Sequence, residues 1–151
     1  MSEQSSTPKT ASMFGSRSSS QGLVLVVDDE PDIRKTVRLV LEKSGYTVIE
    51  AENGEKAIEE IRQGENPLIL DVAIMDIRMP KINGIEAIAF FREQFPKVPI
   101  IVLTGFPDLD MATNLLHQGI VEYLVKPVER ENLLAAVEKA IAHREIHTLE
   151  G

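Results

Sequence analysis

Five short aliphatic runs, each followed by a stretch with apolar residues at helical spacing, leave this chain very few architectures. The runs are LVLVVD (23–28), YTVIEA (46–51), VAIMD (72–76), PIIVLT (99–104) and VEYLVK (121–126), with the lengths and composition of strands. The spacing after them predicts helices over 31–44, 54–63, 84–95, 108–118 and 129–144. The first helix places Ile33, Val37, Val40 and Leu41 on one face, and Gly45 closes it in a left-handed conformation. The second carries Ala57, Ile58 and Ile61, with Asn53 as N-cap and Gly64 beyond its end. The third offers Ile85, Ile88, Phe91 and Phe95 before Pro96, and the fourth Met111, Ala112, Leu115 and Leu116 before Gly119. The fifth offers Leu133, Leu134, Val137, Ala140 and Ile141.

Strict strand-helix alternation at this length implies an α/β fold, a parallel sheet with helices on both faces and right-handed crossovers. Runs such as LVLVV and IIVL agree, because central parallel strands are buried on both sides. In such sheets ligands bind beyond the C-terminal ends of the strands. The chemistry is therefore sought where the strands end.

Composition narrows the functions available. The chain has 151 residues, enough for one domain and its core, and its 43% apolar and 26% charged content is that of a folded globular protein. A formal charge of -8 argues against direct nucleic-acid binding. No apolar run approaches the ~18 to 20 residues of a membrane span, and the start lacks a signal-peptide pattern, so a cytoplasmic protein without membrane partners is expected. The absence of cysteine removes disulfides and thiolate chemistry. Residues 1–21, with eight serines, are expected to form a flexible tail, 22–144 the folded domain, and 145–151 a C-terminal tail or linker remnant.

The polar residues gather at the strand ends. The first strand ends at Asp28 and Asp29, the third at Asp76, the fourth at Thr104 and the fifth at Lys126. Taken singly each has an ordinary explanation: Asp29 or Glu30 as a helix cap, Asp76 as a turn residue before Met79-Pro80, Thr104 as a strand-end hydroxyl, Lys126 as a solvated charge. Their convergence on one edge of one sheet is harder to reach by chance. Carboxylates drawn together repel, so either their pKa values rise or a cation neutralises them. Without cysteine or convergent histidines zinc is a poor candidate, whereas Mg2+ suits oxygen donors and favours sites completed by phosphate. Lys126 and Thr104 suit a phosphoryl ligand, and a carboxylate beside a metal can itself attack phosphorus to give an aspartyl phosphate.

VVDDEP, MDIRMP with NG following, LTG and EYLVKP together resemble the signatures of the response-regulator receiver domain, the phosphoacceptor module of two-component signalling. The resemblance runs from about Leu23 to Ala142. It implies the doubly wound, flavodoxin-like five-stranded sheet with strand order 2-1-3-4-5. It also implies that Asp76 is phosphorylated, that Asp29 binds magnesium directly, that Asp28 acts mainly through a bound water, and that Arg78 supplies a backbone carbonyl. Lys126 would pair with the phosphoryl group across a cis Lys126-Pro127 bond, and Thr104 would move to a phosphoryl oxygen while Tyr123 turns into the vacated space. Tyr123 taken alone could be a half-buried strand aromatic, and its spacing to Lys126 is the reason to prefer the switch role. The implied partners are a sensor histidine kinase or phosphotransfer protein, recognised by the first helix near Ile33, Arg34 and Val37, whose apolar positions are more often core, and by the loop after the fifth strand, and a downstream output domain or protein. The output surface is the fourth helix, fifth strand and fifth helix, used by a monomer or a phosphorylation-dependent homodimer. Gly105 is small, which suits access of a donor to Asp76, although a glycine after a strand is also ordinary turn chemistry; Phe106 and Arg78 flank the expected path of hydrolytic water, which predicts slow self-dephosphorylation. Ile120 departs from the alanine common at that position in relatives, which bears on the shape of the output face.

Two alternatives stand beside this reading. The chain would also read as the receiver part of a larger regulator with its output domain elsewhere. A phosphatase that forms an aspartyl phosphate uses similar residues, but its nucleophile ends the first strand in a D-x-D pattern, where this chain has DDE. Catalysis in the favoured reading is limited to the phosphorylation and dephosphorylation of Asp76 itself.

Overall fold

The computed structural model describes residues 20–63, 70–77 and 84–150. The Ser-rich tail up to residue 19, Gly64, Arg78, Met79-Pro80 and the side chain of Ile85 lie outside them. Strands β1 (Leu23–Val27), β2 (Thr47–Ala51), β3 (Val72–Met75), β4 (Ile100–Thr104) and β5 (Glu122–Val125) alternate with helices. These are α1 (Pro31–Lys43), α2 (Gly54–Ile61), α3 (Gly84–Gln94), α4 (Leu109–His117) and α5 (Arg130–Glu150). All pairings are parallel, in the order β2-β1-β3-β4-β5, as the family resemblance implies.

The two-residue period of the strands divides the core between the faces. Leu25, Val27, Ala73, Met75, Ile100 and Val102 point to one side, against Ala57, Ile61, Ile88, Phe91 and Leu115 of α2, α3 and α4. Val24, Val26, Val72, Ile74, Ile101 and Leu103 point to the other, against Val37 and Leu41 of α1 and Leu133, Val137 and Ala140 of α5. Each such large side chain contributes roughly 1.5–3 kcal/mol through burial, so a polar residue in a central strand would cost a layer of core. The strands can therefore carry function only at their ends.

Local signals act largely as expected. Asn53 caps α2 by accepting the Lys56 N–H at 2.8 Å, and Gly45 and Gly119 close α1 and α4 with φ of 96° and 103°. Two expectations need correction. Leu116 is exposed, because α4 buries the row through Met111 and Leu115, and Leu116 lies about 100° further round the helix. Helix α5 continues past its expected end at residue 144 to Glu150.

Candidate functional site

The hydrogen-bond ladders run one residue beyond the strands and so place the polar side chains. Asp28 N–H donates to Ala51 O at 3.1 Å, Asp76 N–H to Val27 O at 3.0 Å, and Lys126 N–H to Thr104 O at 2.8 Å. Asp28, Asp76 and Thr104 are thereby buried at 2%, 4% and 0% exposure, although they stand at the edge of the sheet. The Lys126-Pro127 bond is cis, as expected.

Lys126 joins these residues into one cluster. Its Nζ lies 2.8 Å from Asp28 Oδ2, 2.8 Å from Glu30 Oε1 and 2.9 Å from Asp76 Oδ2. Asp28 also accepts the Glu30 N–H at 2.9 Å through Oδ1, and its backbone carbonyl accepts from Arg34 Nη1 at 2.6 Å. Asp28, Glu30 and Asp76 each offer an oxygen within 4.8 Å of the others. Three carboxylates against one ammonium make a formal charge of two negatives, which one divalent cation would balance.

The electrostatics carry the mark of that crowding. Burial pushes the Asp28 carboxyl above its ordinary value; hydrogen bonds from Lys126 and the Glu30 N–H, with the Lys126 charge, oppose this, and the Asp76 charge adds to it. For Lys126, burial acts to lower the pKa, but its hydrogen bonds to Asp28, Glu30 and Asp76 outweigh that, and the ammonium is held above the ordinary lysine range. The lysine stays charged.

Three of the site residues expected from sequence, Asp28, Asp76 and Lys126, therefore meet directly. Asp29 is exposed and is not one of the three grouped carboxylates, and Arg78 is outside the described residues. Glu30 takes the third place. It occupies the N-cap position of α1 but makes no capping bond, because its carboxylate reaches Lys126 instead. The acidic run DDE was the only sequence signal for it, and that signal does not say which of three neighbouring side chains turns inward.

Thr104 and Tyr123 hold the loop between β4 and α4 from two sides. Thr104 Oγ1 accepts the Phe106 N–H at 3.1 Å, and Tyr123 Oη accepts the Asp108 N–H at 3.3 Å. Asp108 in turn caps α4 by accepting the Met111 N–H at 3.1 Å. At Gly105 a Cβ would stand 3.7 Å from Lys126 Cδ, so the loop lies directly over the lysine.

Residues 24–138 match the family profile of the response regulator receiver domain. The chain belongs to that family. The receiver is 36% identical over 123 residues to the DNA-binding transcriptional regulator NtrC of Escherichia coli K12, covering 82% of this chain and 25% of that protein. It is 34% identical over 124 residues to a cyclic di-GMP phosphodiesterase of Thermotoga maritima, covering 82% of this chain and 32% of that protein. The receiver thus spans about a quarter to a third of the curated relatives it matches. Among solved structures it resembles a response regulator receiver domain protein from Clostridium thermocellum, with TM-score 0.77 and 33% identity over 83% of this chain and 98% of the other. It also resembles the chemotaxis response regulator CheY4 of Vibrio cholerae, with TM-score 0.70 and 30% identity over 79% and 98% of the two chains. The phosphatase alternative loses its ground with this match.

The remaining sequence expectations fall out of the packing. Ile120 is 5% exposed and sits in the core with Phe91 and Val98, so its extra bulk faces inward. Of the residues expected near a kinase, Val37 is core, Arg34 is paired with Glu50 at 2.9 Å, and Ile33 is half-buried.

Proposed function

We propose that this receiver is a two-component switch that takes a phosphoryl group from a histidine kinase or phosphotransfer protein onto Asp76. The observation that carries this reading is the Lys126 ammonium, hydrogen-bonded to two buried carboxylates at the exit of β1 and β3. A carboxylate oxygen of Asp76 forms the new P–O bond as the donor's P–N bond breaks, the electron pair leaving with the imidazole nitrogen. Lys126, 2.9 Å from Asp76, balances charge on the phosphoryl oxygens, and Thr104 turns its hydroxyl toward one of them. The grouped donors Asp28, Glu30 and Asp76 are all oxygen and close-set, which fits magnesium; Asp28 and Asp76 would hold it, and the family resemblance adds Asp29 and the main chain at Arg78, which lies outside the described residues. Bound there, the ion would supply charge neutralisation for the incoming phosphoryl group. In this reading Glu30, which pairs with Lys126, positions that lysine and is a weaker contributor to the metal site than Asp29.

Output passes through the face formed by α4, β5 and α5, in the cytoplasm. Leu109, Leu116 and Val125 are exposed there at 82%, 46% and 44%, which supports a partner-facing surface. That partner is an output domain or protein, since the relatives are several times longer than the receiver.

Intact mass after incubation with acetyl phosphate and magnesium tests the proposal. One adduct of ~80 Da is expected, absent in Asp76→Asn and without magnesium. Asp29→Asn should weaken the magnesium requirement's midpoint at least about tenfold, and Glu30→Gln much less. An adduct that survives Asp76→Asn, or none in the wild type, removes the phosphoacceptor role.

A further inference from the structure

Arg92 differs from the half-buried cations Arg34, Arg38 and Lys126. Arg34 and Arg38 share Glu50, and Lys126 is held by three acids. Arg92, half-buried near the end of α3, has no hydrogen bond or ion pair to any of the described residues. Its guanidinium lies over Gly119, where a Cβ would stand 2.8 Å from Cζ and where φ is +103°. Only glycine leaves that space open without strain.

The guanidinium forms one wall of a cleft of about 390 Å³ beneath the N-terminal ends of β4 and β5. Lys97 and His143 are on its rim, Val98, Leu116 and Ile120 give it an apolar surface, and no carboxylate lines it among the described residues. That is a marked exclusion in a chain with 24 acidic and 16 basic residues. The cleft lies at the far end of the sheet from Asp76, separated by the length of β4, about 16 Å. The C-terminal end of α4 beside Gly119 attracts a cation through the helix dipole. This attraction holds the guanidinium at the wall but leaves its N–H donors without an acceptor among the described residues.

We propose that this cleft is a second ligand site of the receiver, taking an oxyanion, carboxylate or phosphate monoester, carried on a small apolar body. Arg92 offers the planar fork that binds such groups through two parallel N–H bonds, and Lys97 adds a second positive charge. Val98, Leu116 and Ile120 receive the apolar body, and the volume is that of a small-molecule pocket. The proposal is independent of whether Asp76 accepts phosphate.

Amide NMR titration of the full chain with benzoate, phenyl phosphate and uncharged benzyl alcohol tests it. Saturable shifts are expected at Val98, Gly119, Ile120 and Val121 with at least one of the anions. Tighter binding of benzoate identifies a carboxylate ligand, and tighter binding of phenyl phosphate a phosphate ester. Arg92→Gln should weaken binding at least about tenfold, the equivalent of one charge-assisted hydrogen bond. Lys97→Gln, at an exposed position, should weaken it about threefold and serves if Arg92→Gln fails to fold. The site is refuted by the absence of saturable shifts with both anions, by equal binding of benzyl alcohol, or by unchanged affinity in both variants.

Discussion

Lys126 concentrates the electrostatics of the receiver on one ammonium. Its side chain is 9% exposed, and those of its partners Asp28 and Asp76 are 3% and 5% exposed. Removing one member of a buried ion pair leaves the other charges uncompensated, at a typical cost of about 3–5 kcal/mol. In the proposed site the loss has a specific remedy, because a bound divalent cation would answer the same negative charge. Lys126→Met is therefore expected to lower stability in chelator by about 3 kcal/mol, and millimolar magnesium should recover a larger share in the variant than in the wild type. Urea unfolding with and without magnesium measures this; equal recovery in the two proteins would mean that lysine and metal do not answer the same charge. The residues of this balance were mostly readable beforehand, since Asp28, Asp76 and Lys126 each close an aliphatic run and the fold sends all strand ends to one edge. Glu30 was not readable as a member. Adjacent residues leaving a strand point in different directions, and the choice is made by Lys126, 96 positions away in sequence.

At the scale of elements, alternation and burial carry most of the fold. Beyond half-buried Leu23, LVLVV and IIVL are buried on both faces, whereas β2 and β5, the edge strands, interleave polar residues and are mostly half-buried. The edges were thus visible as polar interruptions, but the order of the central strands needed the family resemblance, because β1, β3 and β4 are similarly aliphatic. Helix α5 outran its expected end because HREIHTLE contains no glycine or proline to stop it, and apolar periodicity marks packing and not helix length. The turn between α1 and β2 allows a sharper test. Tyr46 is 9% exposed and packs with the α1 and α5 face, where burial, then the charge of Glu138, raises its phenol above its usual pKa. A group whose folded pKa lies above its unfolded value of about 10 contributes stability that is complete below pH 10 and is lost as pH rises through the folded value. The wild type should therefore lose more stability between pH 8.5 and 11 than Tyr46→Phe, which has no phenol to ionise. Urea midpoints at the two pH values decide it, and parallel losses would show that Tyr46 does not set the alkaline limit of the fold.

For the whole molecule, the proposed switch requires an event at Asp76 to reach the face of α4, β5 and α5. The loop between β4 and α4 is the link proposed for it, since Thr104 and Tyr123 each hold one of its amides. Two neutral hydrogen bonds are worth roughly 1–3 kcal/mol together, whereas one charge-assisted bond from Thr104 to a phosphoryl group is worth about 1.5–3 kcal/mol, and Lys126, already ion-paired, exchanges one anionic partner for another. In the proposed switch the Thr104 bond alone can therefore offset the release of both loop bonds, and only contacts made in one state move such an equilibrium. Freed of Thr104 and Tyr123, the loop would re-present Phe106, already 62% exposed, and the N-terminal end of α4 at Asp108. Phosphorylation is expected to speed hydrogen exchange at the Phe106 and Asp108 amides several-fold while the amides of β1 and β3 keep their protection. Tyr123→Phe removes one of the two bonds in the resting state, so its Asp108 amide should exchange fast before any phosphate is added and change little afterwards. Residue-resolved exchange on the mass-verified phosphorylated chain reads both amides at once. If both stay protected after phosphorylation, the signal leaves the site by another route than this loop.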